Sequence, residues 1–516
     1  MFSSIWMSIL MLGSLAPASS FPQWGSLKPG PYQVGFRLIN TLDHSRTYWP
    51  RTDFDGRTTR TPTSRPVQIW IWYPARAASD REYMRYRDYI YLAAGATDKQ
   101  KEEAQKKFMA APIAAGADRS RIDALMRTRT ASLAGARPAA GTFPLVVLGQ
   151  GIGFESPTSH TIICEYLASH GYIVATCPLL GFSSLPAGND LASLETEVRD
   201  MEYVIGYMQS VGGVDKQRLA IAGFDLGGMA ALLLQMRNTN VGALCTYGSG
   251  IDAQHNTAVL KQSAFFDPSR LNVPLLHMTI PKSKLEGLGV HMDNALFEMT
   301  SHPDMYRLEF SSLDHAYFTS LGMISTKDVP NLVAEGGVIA TSAERRLGYE
   351  SACRYMLNFF DAYIKGVQKA LGYLRAEPSS NGVPKEQLTV EAKPAAHQRP
   401  TEQQFVRLIL DDGIRKGVEA YRQLKQTDPT YIPFKESTLY NLAYRMRLDG
   451  NLEDLIETLR LNVEAYPTSS KGYEVLGRAY MLHGDKELAI RSYRRAVEID
   501  PNNTNAAGML QRLTGK

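Results

Sequence analysis

The sequence predicts an α/β domain followed by a smaller all-α unit, and three observations carry that reading. From Pro144 onward, apolar runs of strand length alternate with helix-forming runs, the pattern of a mostly parallel sheet with helices on both faces. Within that alternation, Gly223-Phe-Asp-Leu-Gly-Gly228 follows the apolar run Arg218 to Gly223 and precedes the helix-forming run Met229 to Met236, which reads as strand, sharp turn, helix. Beyond residue 400, Asp428-Pro429, Tyr466-Pro467 and Asp500-Pro501 recur at intervals of 38 and 34 residues, the period of stacked helix pairs.

Taken in order, Ile5 to Leu12 is apolar and runs into Ala16-Pro17-Ala18-Ser19-Ser20, a small-residue site suited to signal peptidase. Residues 1–20 are therefore expected to be an export signal, with the mature chain starting near Phe21 in the periplasm or outside the cell. Tyr32 to Ile39 alternates as a strand does, and Val67 to Tyr73, closed by Pro74, is a second. Residues 80–140 form a helix-rich insertion carrying Arg119, Arg121, Arg127 and Arg129, and Tyr83, Tyr86, Tyr89 and Tyr91. These read as a solvated helical face with tyrosines packed on the sheet; a cover over a site is the alternative. Further strands are expected at Leu145 to Leu148, Tyr172 to Thr176, Leu219 to Ala222, Gly242 to Tyr247, Leu275 to Ile280 and Met305 to Phe310. Helices are expected at Thr161 to Ser169, Leu191 to Ser210, Met229 to Arg237 and Tyr349 to Ile364. The first domain then spans 21–376, residues 377–400 are a linker rich in Pro, Ser and Lys, and 401–516 are helical repeats.

A chain of 516 residues exceeds one ordinary core, and 44% hydrophobic with 21% charged residues is the balance of a soluble globular protein. A formal net charge of +4, with bases and acids interspersed, points to no nucleic acid partner. No nucleotide-binding loop or metal-type ligand spacing occurs, so no cofactor is expected. Cys164, Cys177, Cys245 and Cys353 are widely spaced and read as small buried hydrophobes rather than a disulfide framework.

The turn at 223–228 has the context of a nucleophile elbow, with Asp225 where a serine is expected. In acyl transfer from such an elbow, a histidine after the last strand moves protons and an acid after an intermediate strand orients it. His315, in Leu313-Asp-His-Ala-Tyr-Phe318, has that position, whereas His160, His170, His255, His277, His291 and His302 read as structural or surface residues. The backbone amides of Leu226 and of Gly151 or Ile152, in Gly149-Gln-Gly-Ile-Gly153, are the candidate oxyanion donors. For the acid, Asp252 is preferred, with Glu286 and Asp293 left open.

Gly30-Pro-Tyr-Gln-Val-Gly35, Ile71-Trp-Tyr-Pro74, Leu167-Ala-Ser-His-Gly-Tyr-Ile-Val174, the elbow and His315-x-x-Phe318 follow one another in a fixed order and spacing. By these motifs the stretch from Tyr32 to about Ile364 resembles the α/β-hydrolases of the platelet-activating-factor acetylhydrolase and dienelactone hydrolase group. The resemblance implies an α/β-hydrolase fold, a serine hydrolase acting on short or modified ester chains, and an acid after the strand equivalent to Gly242 to Tyr247, which is where Asp252 stands. In the repeats, Tyr473, Leu476, Gly477, Tyr480, Ala489, Tyr493, Ala496 and Pro501 match the tetratricopeptide pattern, with a looser unit before them and a degenerate pair at Phe405 to Gln426. That array is expected to grip a protein partner or to dock on the hydrolase domain.

Aspartate at the elbow changes the chemistry. Its attack on an ester would give an anhydride while expelling an alkoxide, an uphill step, but a carboxylate can displace halide from a saturated carbon or open an epoxide. This resembles the dehalogenase and epoxide hydrolase branch of the fold, with Tyr83 to Tyr91 a candidate source of the leaving-group stabiliser. Three readings follow: an exported hydrolase of small ester-type substrates, an aspartate-nucleophile hydrolase of alkyl substrates, and an inactive scaffold working through its repeats.

Overall fold

The computed structural model describes residues 21–515 apart from 50–60, 78–80, 95–96, 115–118, 153–155, 182–186, 294–295, 298–303, 324–339, 396–399 and 401. The expected export signal lies outside the described residues, as does His302.

One sheet dominates the first domain. Its strands are β1 (Gln33–Tyr48), β2 (Thr63–Ala75), β3 (Ser132–Ala134), β4 (Phe143–Gly149), β5 (Ile173–Thr176), β6 (Val214–Phe224), β7 (Val241–Tyr247), β8 (Leu275–Thr279), β9 (Met305–Phe310) and β10 (Leu388–Lys393). They lie in the order β10-β9-β8-β7-β6-β4-β5-β2-β1-β3. From β9 to β5 all neighbours are parallel, while β2 and β10 run antiparallel to the strands beside them. This is the sheet of an α/β-hydrolase fold, extended by one strand at each edge.

Helices α1 (Tyr86–Ala94), α2 (Asp98–Ala114) and α3 (Arg119–Arg127) fill the insertion, and α4 (Thr161–Ser169), α5 (Leu191–Gln209), α6 (Leu226–Arg237), α7 (Gln254–Leu260), α8 (Lys282–Gly287), α9 (Ser342–Tyr363) and α10 (Gln368–Arg375) accompany the sheet. The period of two along β4 divides its side chains between two cores. Val146 and Leu148 join the core with Ile162 of α4 and Tyr355 of α9, and Leu145 and Val147 join the one with Val198 of α5 and Leu233 of α6. All four cysteines are buried and unpaired, as small apolar side chains would be.

The insertion tyrosines serve packing. Tyr89, fully buried, sits among Phe36, Trp70 and Trp72 and donates to the buried Glu165 at 2.7 Å. Tyr86 donates to the Thr158 carbonyl, Tyr83 packs on Phe21 with the Arg129 guanidinium over its ring, and Tyr91 donates to Gln105. Tyr86, Tyr89 and Tyr91 thus spend their hydroxyl protons within the domain and Tyr83 packs its ring on Phe21, in keeping with the packing role read for these residues from the sequence.

The expected linker at 377–400 is corrected. Leu388 to Lys393 is β10, which pairs along the whole of β9 from Leu388↔Phe310 to Lys393↔Met305, and Pro378, Val383 and Leu388 are buried. The hydrolase domain therefore extends to about residue 395.

The second domain stacks α11 (Glu402–Asp412), α12 (Ile414–Thr427), α13 (Glu436–Leu448), α14 (Leu452–Ala465), α15 (Ser470–His483), α16 (Lys486–Ile499) and α17 (Thr504–Thr514): three helix pairs and a closing helix. In the last pair, Gly477 admits the Tyr493 ring, since a Cβ there would lie 3.0 Å from it. The array meets the first domain where Lys435 Nζ donates to the Thr239 hydroxyl at 3.3 Å, in the turn just before β7.

Candidate functional site

After β4 the chain crosses to β5 on one side, and after β6 it proceeds to β7 on the other, so the loop following β4 and the turn following β6 border the same crevice. Gly149 at the end of β4 lies opposite Gly223 near the end of β6, which sets Gln150-Gly151-Ile152 beside Asp225. The approach is too close for side chains. A Cβ on Gly227 would fall 2.2 Å from the Gly149 backbone, and one on Gly223 would fall 2.0 Å from the Gly227 carbonyl oxygen.

Asp225 has φ 51° and ψ −122°, and among the described residues it is the one non-glycine at positive φ. Such a conformation costs on the order of 1–3 kcal/mol and holds the side chain at the apex of the turn. The carbonyl of Asp225 is fixed by the Ser249 hydroxyl at 2.8 Å and the Gly228 amide at 3.0 Å. Its carboxylate has two different environments. Oδ2 accepts from the Ile152 amide at 3.0 Å, and Oδ1 lies 4.0 Å from His315 Nε2.

Of the other expected donors, Leu226 opens α6, where a first-turn amide has no acceptor within its own helix. A Cβ on Gly151 would touch the Asp225 Cβ at 3.1 Å, so that residue lines the crevice as well. His315 follows β9 in a short 3₁₀ turn, its ring against Phe224 at 4.7 Å and about half exposed to solvent. His160, whose ring also meets Phe224 at 5.3 Å, is fully buried with Nδ1 at 3.0 Å from the Tyr247 hydroxyl, and burial pulls its pKa down to about 3, so it stays neutral.

The expected orienting acid is corrected. Thr246, His277 and Arg307 are register neighbours across β7, β8 and β9, and side chains at such positions share one face of a sheet. Asp252 lands on that row: it is fully buried, 3.1 Å from Arg307 Nη2 and 3.5 Å from His277 Nε2. Burial would push its carboxyl up, but His277 and then Arg307 overcome this and hold it below the usual range. Glu286 pairs with Lys282, Asp293 with Lys261, and Asp314, next to His315, with Lys284 at 2.8 Å. Among the described residues, Asp225 is the one carboxylate within 4.0 Å of the His315 ring nitrogens.

Glu197 carries no motif that singles it out in the sequence. It projects from α5 into the core with no exposure, and its Oε1 accepts from the Gln150 amide at 2.9 Å, which anchors the loop that carries Gly151 and Ile152. Burial, and then the charge of Asp200, raise its pKa to about 8. The sequence signal is a Glu with Asp200 one turn later on a face whose neighbours Leu194, Val198 and Met201 are core residues.

Comparison with known proteins gives limited likenesses. Residues 470–503 match the tetratricopeptide repeat family. No curated protein matches the chain. Among solved structures, a ferulic acid esterase from Streptomyces cinnamoneus is similar, with 20% identity, a TM-score of 0.47, and coverage of 70% of this chain and 96% of that one. The first domain has the α/β-hydrolase fold, and the second contains a tetratricopeptide repeat.

Proposed function

We propose that the protein is a hydrolase that uses Asp225 as a nucleophile on electrophilic alkyl carbon, and whose second half-reaction is the hydrolysis of an ester. The observation that carries this reading is the division of labour within one carboxylate: Oδ2 held by the Ile152 amide, Oδ1 turned toward His315. Oδ1 attacks the carbon, the C–O bond forms as the bond to halide or epoxide oxygen breaks, and an alkyl ester of Asp225 results. His315 then takes a proton from water, the hydroxide adds to Cγ, and the charge gathering on Oδ2 meets an amide already at oxyanion-hole distance. Collapse expels the alkoxide, which takes the proton back from His315 and leaves as the alcohol, and the carboxylate is restored. Likeness to the acetylhydrolase and dienelactone hydrolase group in sequence supports a small, lipid-like substrate, here one with an electrophilic alkyl carbon.

A second reading is favoured by one specific observation: among the described residues no carboxylate stands behind His315, and Asp252 is committed elsewhere. In that reading the Asp225 and His315 pair is a relic and the repeats are the working part. The purified chain would be assayed on short haloacids, epoxides and acyl esters beside Asp225→Asn, Asp225→Ser and His315→Gln. Alkyl turnover lost in Asp225→Asn, with an alkyl adduct on Asp225 accumulating in His315→Gln, is expected. Esterase activity gained only in Asp225→Ser would instead mark a serine-type site silenced by aspartate. No turnover in any folded form would leave the relic.

Export belongs to the same proposal. It rests on the apolar run Ile5 to Leu12 and the small-residue stretch Ala16 to Ser20 that follows it. N-terminal sequencing of the secreted material should begin near Phe21; full-length protein retained in the cytoplasm would overturn this part.

A further inference from the structure

We infer that a second site, separate from Asp225, binds a tetrahedral oxyanion such as phosphate or a phosphate monoester. The pairing of β1 with β2 slips between Asp43↔Arg65 and Thr47↔Ser64, so that His44, Ser45 and Arg46 bulge out of the ladder. Bulges of this kind re-aim side chains. Here the result is a cleft of about 310 Å³ lined by Ser45, Arg46, Thr47, Arg65, Thr196 and Arg199.

Every lining side chain is a hydrogen-bond donor, and the compensating carboxylates lie beneath. Asp43 and Asp200 are 5% and 2% exposed. Asp43 locks the bulge by accepting from the Ser45 amide at 2.9 Å, its hydroxyl at 2.6 Å and Arg46 Nε at 2.6 Å. Asp200 receives Arg46 Nη2 and Arg65 Nε, each at 2.7 Å, and Arg65 Nη2, while Arg65 Nη1 donates to the Gly181 carbonyl at 2.6 Å. Arg46 and Arg65 are thus held by two buried carboxylates, while Arg199 brings a third guanidinium to the lining of the cleft. Arg199, on the exposed side of α5, has no ion-pair partner among the described residues, and neither Arg46 Nη1 nor the Thr47 hydroxyl makes a hydrogen bond to any of them.

Arg46 and Arg65 are fixed by buried acids, and Arg199 completes the lining from α5. A dianion between Arg46 and Arg199 would relieve their mutual repulsion and satisfy the spare donors. Tetrahedral geometry suits donors that converge from a strand on one side and a helix on the other.

The test is calorimetric titration of the full chain with inorganic phosphate and, separately, methyl phosphate at constant ionic strength, with chloride as the control. Saturable binding is expected, weakened about tenfold or more in Arg199→Gln through loss of a charge-assisted contact. Arg199 is exposed, so that variant should fold; Thr47→Val, a second solvent-side change, should weaken binding by a smaller factor. Tighter binding of methyl phosphate would assign the site to phosphate esters, and tighter binding of inorganic phosphate to the free anion. Either result supports the site. No saturable heat, a response that chloride reproduces, or equal affinity in Arg199→Gln would overturn it.

Discussion

Asp225 keeps a left-handed backbone that glycine would adopt without penalty. Asp225→Gly should therefore be more stable than Asp225→Ala by about 1 kcal/mol, since both lose the carboxylate contacts and only alanine retains the steric cost. Chemical denaturation of the two variants measures the difference. Glu197 gives a second expectation. Its carboxyl titrates at about 8 in the folded chain against 4.5 for an ordinary glutamate, so the folded state binds more protons between those values. The favourable contribution is complete below 4.5 and is lost as pH rises through 8, at about 1.4 kcal/mol per pH unit within the window. Arg65, Asp200 and the buried Cys177 lie in the same electrostatic neighbourhood. Denaturation from pH 5 to 9 should show that slope in the native chain and its absence in Glu197→Gln. That Asp225 and His315 come together was legible because their positions attach to local signals, a glycine-bounded turn and a histidine after the last strand. Glu197 was hidden because its partner is a backbone amide 47 residues away.

At the scale of elements, the close approach of α6 to β4 makes Gly227→Ala severe. The added methyl meets backbone rather than a side chain that could turn aside, so a loss above ~3 kcal/mol or failure to accumulate folded protein is expected. Thermal melting of Gly227→Ala beside Gly212→Ala, where nothing lies within 4 Å, checks this. The strand alternation was readable because buried parallel strands are continuous apolar runs. β10 was not, for the opposite reason: it is an edge strand held by backbone pairing, and of its six residues only Leu388 is buried, so no alternation marks it. Asp252 was misassigned because its neighbours His277 and Arg307 come from two strands whose adjacency the linear order does not display.

For the molecule as a whole, β10 matters as a carrier of the chain. It starts beside Phe310 at the edge where the elbow lies and ends beside Met305 at the opposite edge, delivering the chain to where Lys435 meets Thr239. A protein ending after residue 395 should keep the turnover proposed for Asp225 within about twofold, because the edge carrying Asp225 and His315 stays intact, whereas one ending at 376 strips β9 of its partner and should aggregate. Steady-state kinetics and light scattering on the two truncations separate these outcomes. The repeats therefore join the first domain across the sheet from Asp225, so the mouth of the elbow crevice stays clear of that junction.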